Sequence, residues 1–379
     1  MIEPFYRGDM RDVLFDLHCE GAQFHACVTD PPYHLASTVK RFGKPGSAPA
    51  QFGTDGAYAR ASRGFMGKEW DGGDVSFRPE TWRAVYDVLL PGGYLLAFGG
   101  TRTYHRIAVA IEDAGFELRD TIMWMFGTGF PKSHDVSKAI DKATKVPATA
   151  EAAQWSGWGT ALKPAYEPII VARKPSDGTV ARNVLTHGCG GLNIDASRVG
   201  ESGSCNKGCK GGNNGIYSPI GQIAAIDYGK GRWPANVIHD GSDGVLDAFA
   251  AFGDRPGQQG RARTDGAAQG NAVYGAIKNG TTNPEPRNDT GSAARFFYST
   301  KATAADRAGS AHPTVKPLAL MRYLLTMVTP PGGRVLDPFC GSGTTLQAAL
   351  ECGFSPTGIE RDADYAADVL RRLEAHALA

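Results

Sequence analysis

Short apolar runs that close in polar or glycine-rich turns alternate with stretches of helical apolar spacing, first over residues 4–126 and again over 318–360. Residues 4–9 predict a very short strand ending in a polar turn, and Met10 to Leu17 carry the spacing of a short amphipathic helix. His25 to Thr29 reads as a strand that runs straight into Asp30-Pro31-Pro32-Tyr33. Pro79 opens a helix whose Trp82, Val85, Tyr86 and Leu89 share one face, and Pro91-Gly92-Gly93 ends it. Tyr94 to Phe98 then predicts a buried strand, Tyr104 to Ala114 a helix, and Glu117 to Phe126 and Glu167 to Ala172 two further strands. The excursion between those two holds Trp155 and Trp158, which are expected to pack over the core, or else to reach a partner.

Near the C-terminus, Leu318, Met321, Leu325 and Val328 share a helix face. After it, Val335 and Leu336 lead through Asp337-Pro338-Phe339-Cys340-Gly341-Ser342-Gly343-Thr344-Thr345 into the helix-forming series Leu346 to Glu351. This is a strand, a tight loop and a helix start in sequence. Gly341 and Gly343 remove side chains that would keep a ligand off the backbone, while Thr344 and Thr345 are expected to satisfy the first free amides of the helix. A glycine loop alone is as often a plain turn. Here a second strand, Phe354 to Ile359, comes next and ends at Glu360, where a doubly wound sheet places an acid that accepts hydrogen bonds from ribose hydroxyls. No lysine follows Gly343, and Asp337 at the loop entrance would repel phosphates. A ribose-bearing cofactor with a cationic, phosphate-free end fits, and S-adenosyl-L-methionine has both features.

With 379 residues, 42% of them hydrophobic, the chain can bury one large core and a smaller second one. A net charge of +1 gives no global attraction to nucleic acid, so any such surface is local. Met1 to Arg11 lack the apolar centre of a signal peptide, and no run approaches the ~20 apolar residues that span a bilayer. The expectation is a cytoplasmic protein without membrane contact. Seven scattered cysteines argue for reduced thiols.

In Asp30-Pro31-Pro32-Tyr33 the paired prolines fix φ and donate no backbone hydrogen bonds, so a stiff turn presents the Asp30 carboxylate and the Pro31 carbonyl as acceptors. Two acceptors can hold an NH2 group. An exocyclic adenine amine is a poor nucleophile, and drawing on both of its protons favours the pyramidal geometry in which its lone pair attacks a methyl group. Tyr33 offers a face for stacking, a contact worth ~1–3 kcal/mol per base. The plain alternative is a Pro-Pro turn at a strand end, with Asp30 capping the next stretch of backbone.

With this tetrapeptide and Asp337 to Gly343 together, the chain resembles the DNA amino-methyltransferases. The order, catalytic motif first and cofactor motif last, is that of their β class, found in bacteria and phages and exemplified by site-specific N6-adenine enzymes. The resemblance implies an α/β fold: a doubly wound, mostly parallel sheet of about seven strands, Rossmann-like and permuted, with an antiparallel strand near one edge. It implies a catalytic role for Asp30, Pro31, Pro32 and Tyr33, and S-adenosyl-L-methionine on the loop 337–345 and on Glu360. His312-Pro313-Thr314-Val315-Lys316-Pro317 matches the segment that encloses the cofactor's methionine part, making Thr314 and Lys316 candidates, and Asp9 stands where the class contacts the adenine.

The resemblance also implies double-stranded DNA as partner, with the target base flipped out. DNA is then what Trp155 and Trp158 would reach if they do not pack over the core. The segment leaving the catalytic turn, about 34–75, carries Lys40, Arg41, Lys44, Arg60, Arg63 and Lys68 and is expected to fold over base and backbone, or else to be a solvated loop. Residues 176–307, rich in glycine, asparagine and serine, form the expected target recognition domain between catalytic parts 1–175 and 308–379. Arg182, Arg198, Arg232, Arg261 and Arg263 are its candidate DNA contacts, alongside Lys207, Lys210, Lys230 and Arg287. Cys189, Cys205 and Cys209 do not have the spacing of a zinc site, and no metal is expected. A homodimer is compatible with the class but is marked by no stripe here. Whether a partner nuclease accompanies the chain is not written in the sequence. Rival readings are N4-methylation of cytosine, whose enzymes more often have serine at the Asp30 position, and a DNA-binding regulator without catalysis. A protein-glutamine methyltransferase shares a Pro-Pro-Tyr turn but has the opposite motif order.

Overall fold

The computed structural model describes residues 3–33, 74–127, 129, 133–147, 149–200, 231–256, 270–271, 275–276, 290–300, 303, 305–310, 312 and 314–377. In chain order its main elements are β1 (Phe5–Arg7), α1 (Met10–Cys19), β2 (Phe24–Thr29), α2 (Pro79–Val88), β3 (Leu89–Phe98), α3 (Tyr104–Asp113), β4 (Glu117–Met125), α4 (Val136–Thr144), α5 (Ala150–Ala153) and β5 (Tyr166–Arg173). After these come α6 (Val180–His187), β6 (Val237–His239), α7 (Asp243–Ala250), β7 (Tyr298–Ser299), α8 (Leu318–Val328), β8 (Arg334–Asp337), α9 (Thr344–Glu351), β9 (Ser355–Glu360) and α10 (Ala363–Ala377).

The nine strands form one sheet in the order β1-β9-β8-β2-β3-β5-β4-β6-β7. Every expected strand is in it. The two additions, β6 and β7, come from the segment assigned to target recognition. β5 runs antiparallel to both β3 and β4, and β4 pairs parallel with β6. Among the seven expected strands the reversed one is second from the edge, and β6 and β7 extend the sheet beyond β4. From β2 the order runs outward one way and from β8 the other, which places a topological switch point between these two parallel neighbours.

Apolar spacing accounts for the helices. Leu14 and Leu17 of α1, Trp82 and Val85 of α2, and Ile107 and Ile111 of α3 are buried in one cluster with Phe24 and Leu95. Pro79 at the start of α2 is preset for the first helical turn, and the indole of Trp82 donates to the Ser76 carbonyl at 2.8 Å. Two expectations change. Pro91-Gly92-Gly93 does not separate helix from strand but lies inside β3, as an irregularity in its pairing with β2 between Phe24 and Ala26. Lys174 Nζ binds the Tyr86 and Leu89 carbonyls, and buried Asn183 donates to the Pro91 carbonyl at 2.9 Å, so the interrupted backbone keeps partners. Trp155 and Trp158 do not pack over the core: they are 43% and 60% exposed and meet edge to face at 5.1 Å.

The chain divides into two compact units, Met1–Asn193 with Asn236–Val245 and Ser299–Ala379, and Ile194–Ala235 with Leu246–Tyr298. Residues 176–193, 236–245 and 299–307, expected in the recognition domain, thus belong to the first unit. The hydrogen bond from Asn183 of α6 to the Pro91 carbonyl of β3 and the pairing of β6 with β4 are the physical reasons. No helix among the described residues is long and apolar enough to cross a membrane.

Candidate active site

The two motifs meet at the switch point. Val335 and Leu336 of β8 pair with Ala26 and Cys27 of β2, so the turns beyond them leave the same end of adjacent strands. The Thr29 hydroxyl donates to Asp337 Oδ1 at 2.7 Å, a bond joining residues 308 positions apart. Asp337 is buried, and burial pushes its carboxyl up to about 6, against hydrogen bonds from Thr345, Thr29 and the Phe339 amide that favour the charged form.

A cavity of about 410 Å³ opens over these strand ends. Every expected catalytic and cofactor residue lines it except Gly343. Gly341 and Gly343 are left-handed, with φ of 51° and 81°, and a Cβ on Gly341 would stand 3.1 Å from His312 Nε2. One expectation fails here: no side chain caps α9. Gly343 occupies the cap position, the Thr345 hydroxyl turns to Asp337, and Thr344 Oγ1 lies 3.3 Å from Ser342 Oγ. Glu360 accepts from the Gly341 amide at 2.9 Å and the Asp362 amide at 2.7 Å. Burial pushes its carboxyl up to about 7. Asp9 caps α1 and takes the Arg11 guanidinium on both oxygens, a pairing that holds its carboxyl down at about 2. Thr314 lines the same space, its amide 3.3 Å from His312 Nδ1, and His312 packs on Tyr365 at 4.4 Å.

The turn expected to be catalytic, Asp30 to Tyr33, is held from several elements. The Tyr33 hydroxyl donates to Asp30 Oδ1 at 2.6 Å, the Thr103 hydroxyl donates to the Tyr33 carbonyl at 2.9 Å, and Ser76 donates to the Pro32 carbonyl. A Cβ on Gly100 would come within 3.3 Å of the Tyr33 ring, so this glycine lets the ring lie against the end of β3. Lys316, expected with the cofactor residues, sits among the groups of the catalytic turn: its Nζ is 3.0 Å from Asp30 Oδ2 and 2.8 Å from Glu167 Oε2. Burial would discharge this amine, but Asp30 and Glu167 more than offset it and raise its pKa above the ordinary lysine range. Burial, then the same two carboxylates, pushes the Tyr33 phenol well up. Glu167 was not singled out from the sequence. Its one signal is an acid near the start of the otherwise apolar run Ile169 to Ala172.

Of the candidate DNA contacts, Arg182 is exposed on α6. Arg198 is committed within its own unit, bonded to Asp195 at 3.0 Å and to the Gly231 carbonyl, and stacked on Trp233. Arg232 lies over the Phe296 ring at 4.7 Å. Lys40, Arg41, Lys44, Arg60, Arg63, Lys68, Lys207, Lys210, Lys230, Arg261, Arg263 and Arg287 fall outside the described residues, as do Cys205 and Cys209. Cys189 is buried, and burial pushes its thiol up to about 11. No cluster of metal-ligating side chains occurs among the described residues.

A model of the N6/N4 DNA methylase family matches residues 24–371. The chain is 23% identical over 378 residues to the type II methyltransferase M.HindIII of Haemophilus influenzae, covering 96% of this chain and 92% of that one. It is 44% identical over 63 residues, 17% of this chain and 21% of the other, to the DNA adenine methyltransferase YhdJ of Escherichia coli. A solved structure of the M1.HpyAVI-SAM complex aligns over 98% of this chain and 99% of its own, with 16% identity and a TM-score of 0.44.

Proposed function

The chain belongs to the N6/N4 family of DNA methylases, and from that premise we propose that it methylates the N6 amine of adenine at a specific site in double-stranded DNA. The observation that carries this reading is the Asp30 carboxylate, oriented by Tyr33 and Lys316 in the lining of the cavity that the cofactor motif also lines. An aspartate at that place accepts from an amine without donating to it. Naming of the Escherichia coli relative as an adenine enzyme supports the same base.

The residues fit the family's methyl donor, S-adenosyl-L-methionine. The cavity has the volume of a small-molecule site, its glycine loop stays open where a Cβ on Gly341 would crowd His312, and Glu360 offers a carboxylate beside the loop. Glu360 would hold the ribose, Asp9 with its neighbours the adenine, and Thr314 with the loop Asp337 to Thr345 the remainder. When bound, the donor supplies a methyl group on a cationic sulfur, which becomes a neutral thioether as the group leaves.

The protein's part is to position and desolvate. Asp30 and the Pro31 carbonyl accept hydrogen bonds from the two N6 protons, one of which is lost to solvent once the methyl group is on nitrogen, and the Tyr33 ring bears on the base. A paired adenine keeps N6 inside the duplex, so the target nucleotide turns out of the stack at a cost of a few kcal/mol. Residues 34–75 and the recognition segment, with Arg182, Arg232, Arg261 and Arg263 among their cations, supply the contacts that offset it. Mass spectrometry of nucleosides from DNA treated with the protein and S-adenosyl-L-methionine is the test. N6-methyldeoxyadenosine is expected. N4-methyldeoxycytidine would transfer the reading to cytosine, and an unmodified digest would remove it.

A further inference from the structure

Lys316 lies between two carboxylates, and the second, Glu167, has no part in the methyl transfer proposed for this site. Its Nζ has three partners: Glu167 Oε2 at 2.8 Å, Asp30 Oδ2 at 3.0 Å and the Tyr33 hydroxyl at 3.2 Å. The side chain of Lys316 is 8% exposed, those of Glu167 and Asp30 26% and 21%, and all three line the cavity. Tyr33 reaches toward both acids, at 2.6 Å from Asp30 and 3.4 Å from Glu167. The ammonium also stands 4.6 Å over the Phe98 ring. A buried lysine needs one counter-charge, and Asp30 alone would provide it.

We infer that Glu167 is a positioning residue, which shares Lys316 with Asp30 so that the lysine orients the catalytic carboxylate without cancelling its charge. The inference rests on the methyl-transfer reading of this site. Two acids and one ammonium leave the cluster with one negative charge, facing the place where an amine acquires positive character as it is alkylated. Without Glu167, Lys316 and Asp30 close into a neutral pair, and the ammonium competes with the substrate amine for the carboxylate. Without Lys316, two carboxylates face each other uncompensated and favour a shared proton. The titratable and charged groups around Asp30 are Tyr33 on its own turn, Glu167 on β5, Lys316 ahead of α8, and Asp337 on β8. Asp9, Arg11, His312, Glu360 and Arg361 line the same cavity.

The two substitutions therefore act in opposite directions. In Glu167→Gln, kcat should fall about tenfold, the size of a lost positioning contact, with KM for DNA and for S-adenosyl-L-methionine little changed. The acid limb of its pH–rate profile should move to lower pH, whereas in Lys316→Met it should move to higher pH, and Lys316→Arg should recover part of the loss. A readout apart from turnover comes from nitrogen NMR of the full-length protein labelled at lysine, with the Lys316 signal assigned by its absence in Lys316→Met. Its titration should fall in Glu167→Gln, because one of the two acids that raise it is gone. If the wild type methylates DNA while Glu167→Gln leaves kcat, the acid limb and the Lys316 titration unmoved, the inference fails and the methyl-transfer reading stands. If the wild type transfers no methyl group, that reading fails and takes the inference with it.

Discussion

Asp30 is oriented before any substrate arrives, since Tyr33 and Lys316 each hold one of its oxygens. A carboxylate has about four lone-pair sites, so acceptor capacity remains for an amine. Asp30→Ala should therefore lower single-turnover methylation by about 100- to 1000-fold, the scale for losing one preorganised polar partner, while calorimetric binding of S-adenosyl-L-methionine changes little. Glu360 supplies a pH dependence of known sign. Burial puts its carboxyl at about 7, so it is charged above that pH and protonated below it. Only the charged form presents a full set of acceptors to ribose hydroxyls. Affinity for S-adenosyl-L-methionine, measured by calorimetry across this range, should weaken as pH falls through about 7, and Glu360→Gln should flatten that dependence.

Among the elements, the β8–α9 turn and the end of β2 carry the arrangement. Gly343 sits at φ of 81° with Val369 3.3 Å from where a Cβ would be. Gly343→Ala should cost about 1–2 kcal/mol in denaturant unfolding, the penalty for a side chain in left-handed backbone. Thr29→Val removes a donor from buried Asp337 and should cost about 1–3 kcal/mol in the same measurement. Strands and helices were legible because apolar spacing is a local signal, and the two turns at the ends of β2 and β8 were legible because Pro31, Pro32, Gly341 and Gly343 constrain backbone wherever they occur. The helix cap differs from that expected because the Thr345 hydroxyl has a stronger acceptor in Asp337, delivered by the fold, and the Thr344 hydroxyl meets Ser342. The interruption in β3 was misread because Lys174 and Asn183, distant in sequence, satisfy the carbonyls that a turn would have left to water.

At the level of the whole molecule, parallel pairing of β2 with β8 makes one site from the two ends of the chain. Motif order announced that pairing; Glu167 carries only a faint local signal, and it joins the site through Lys316, 149 positions away, and through the Tyr33 hydroxyl. The short strands β6 and β7 escaped notice for a similar reason, since β6 gains its stability from β4 and not from its own pattern. The central claim is that methyl donor and target amine meet across the carboxyl ends of β2 and β8. A crystal structure of the protein with S-adenosyl-L-methionine tests it most directly. The account requires the ribose at Glu360 and the sulfonium methyl directed at the space between Asp30 and the Pro31 carbonyl. A cofactor seated elsewhere, or with its methyl turned away from that space, would contradict it.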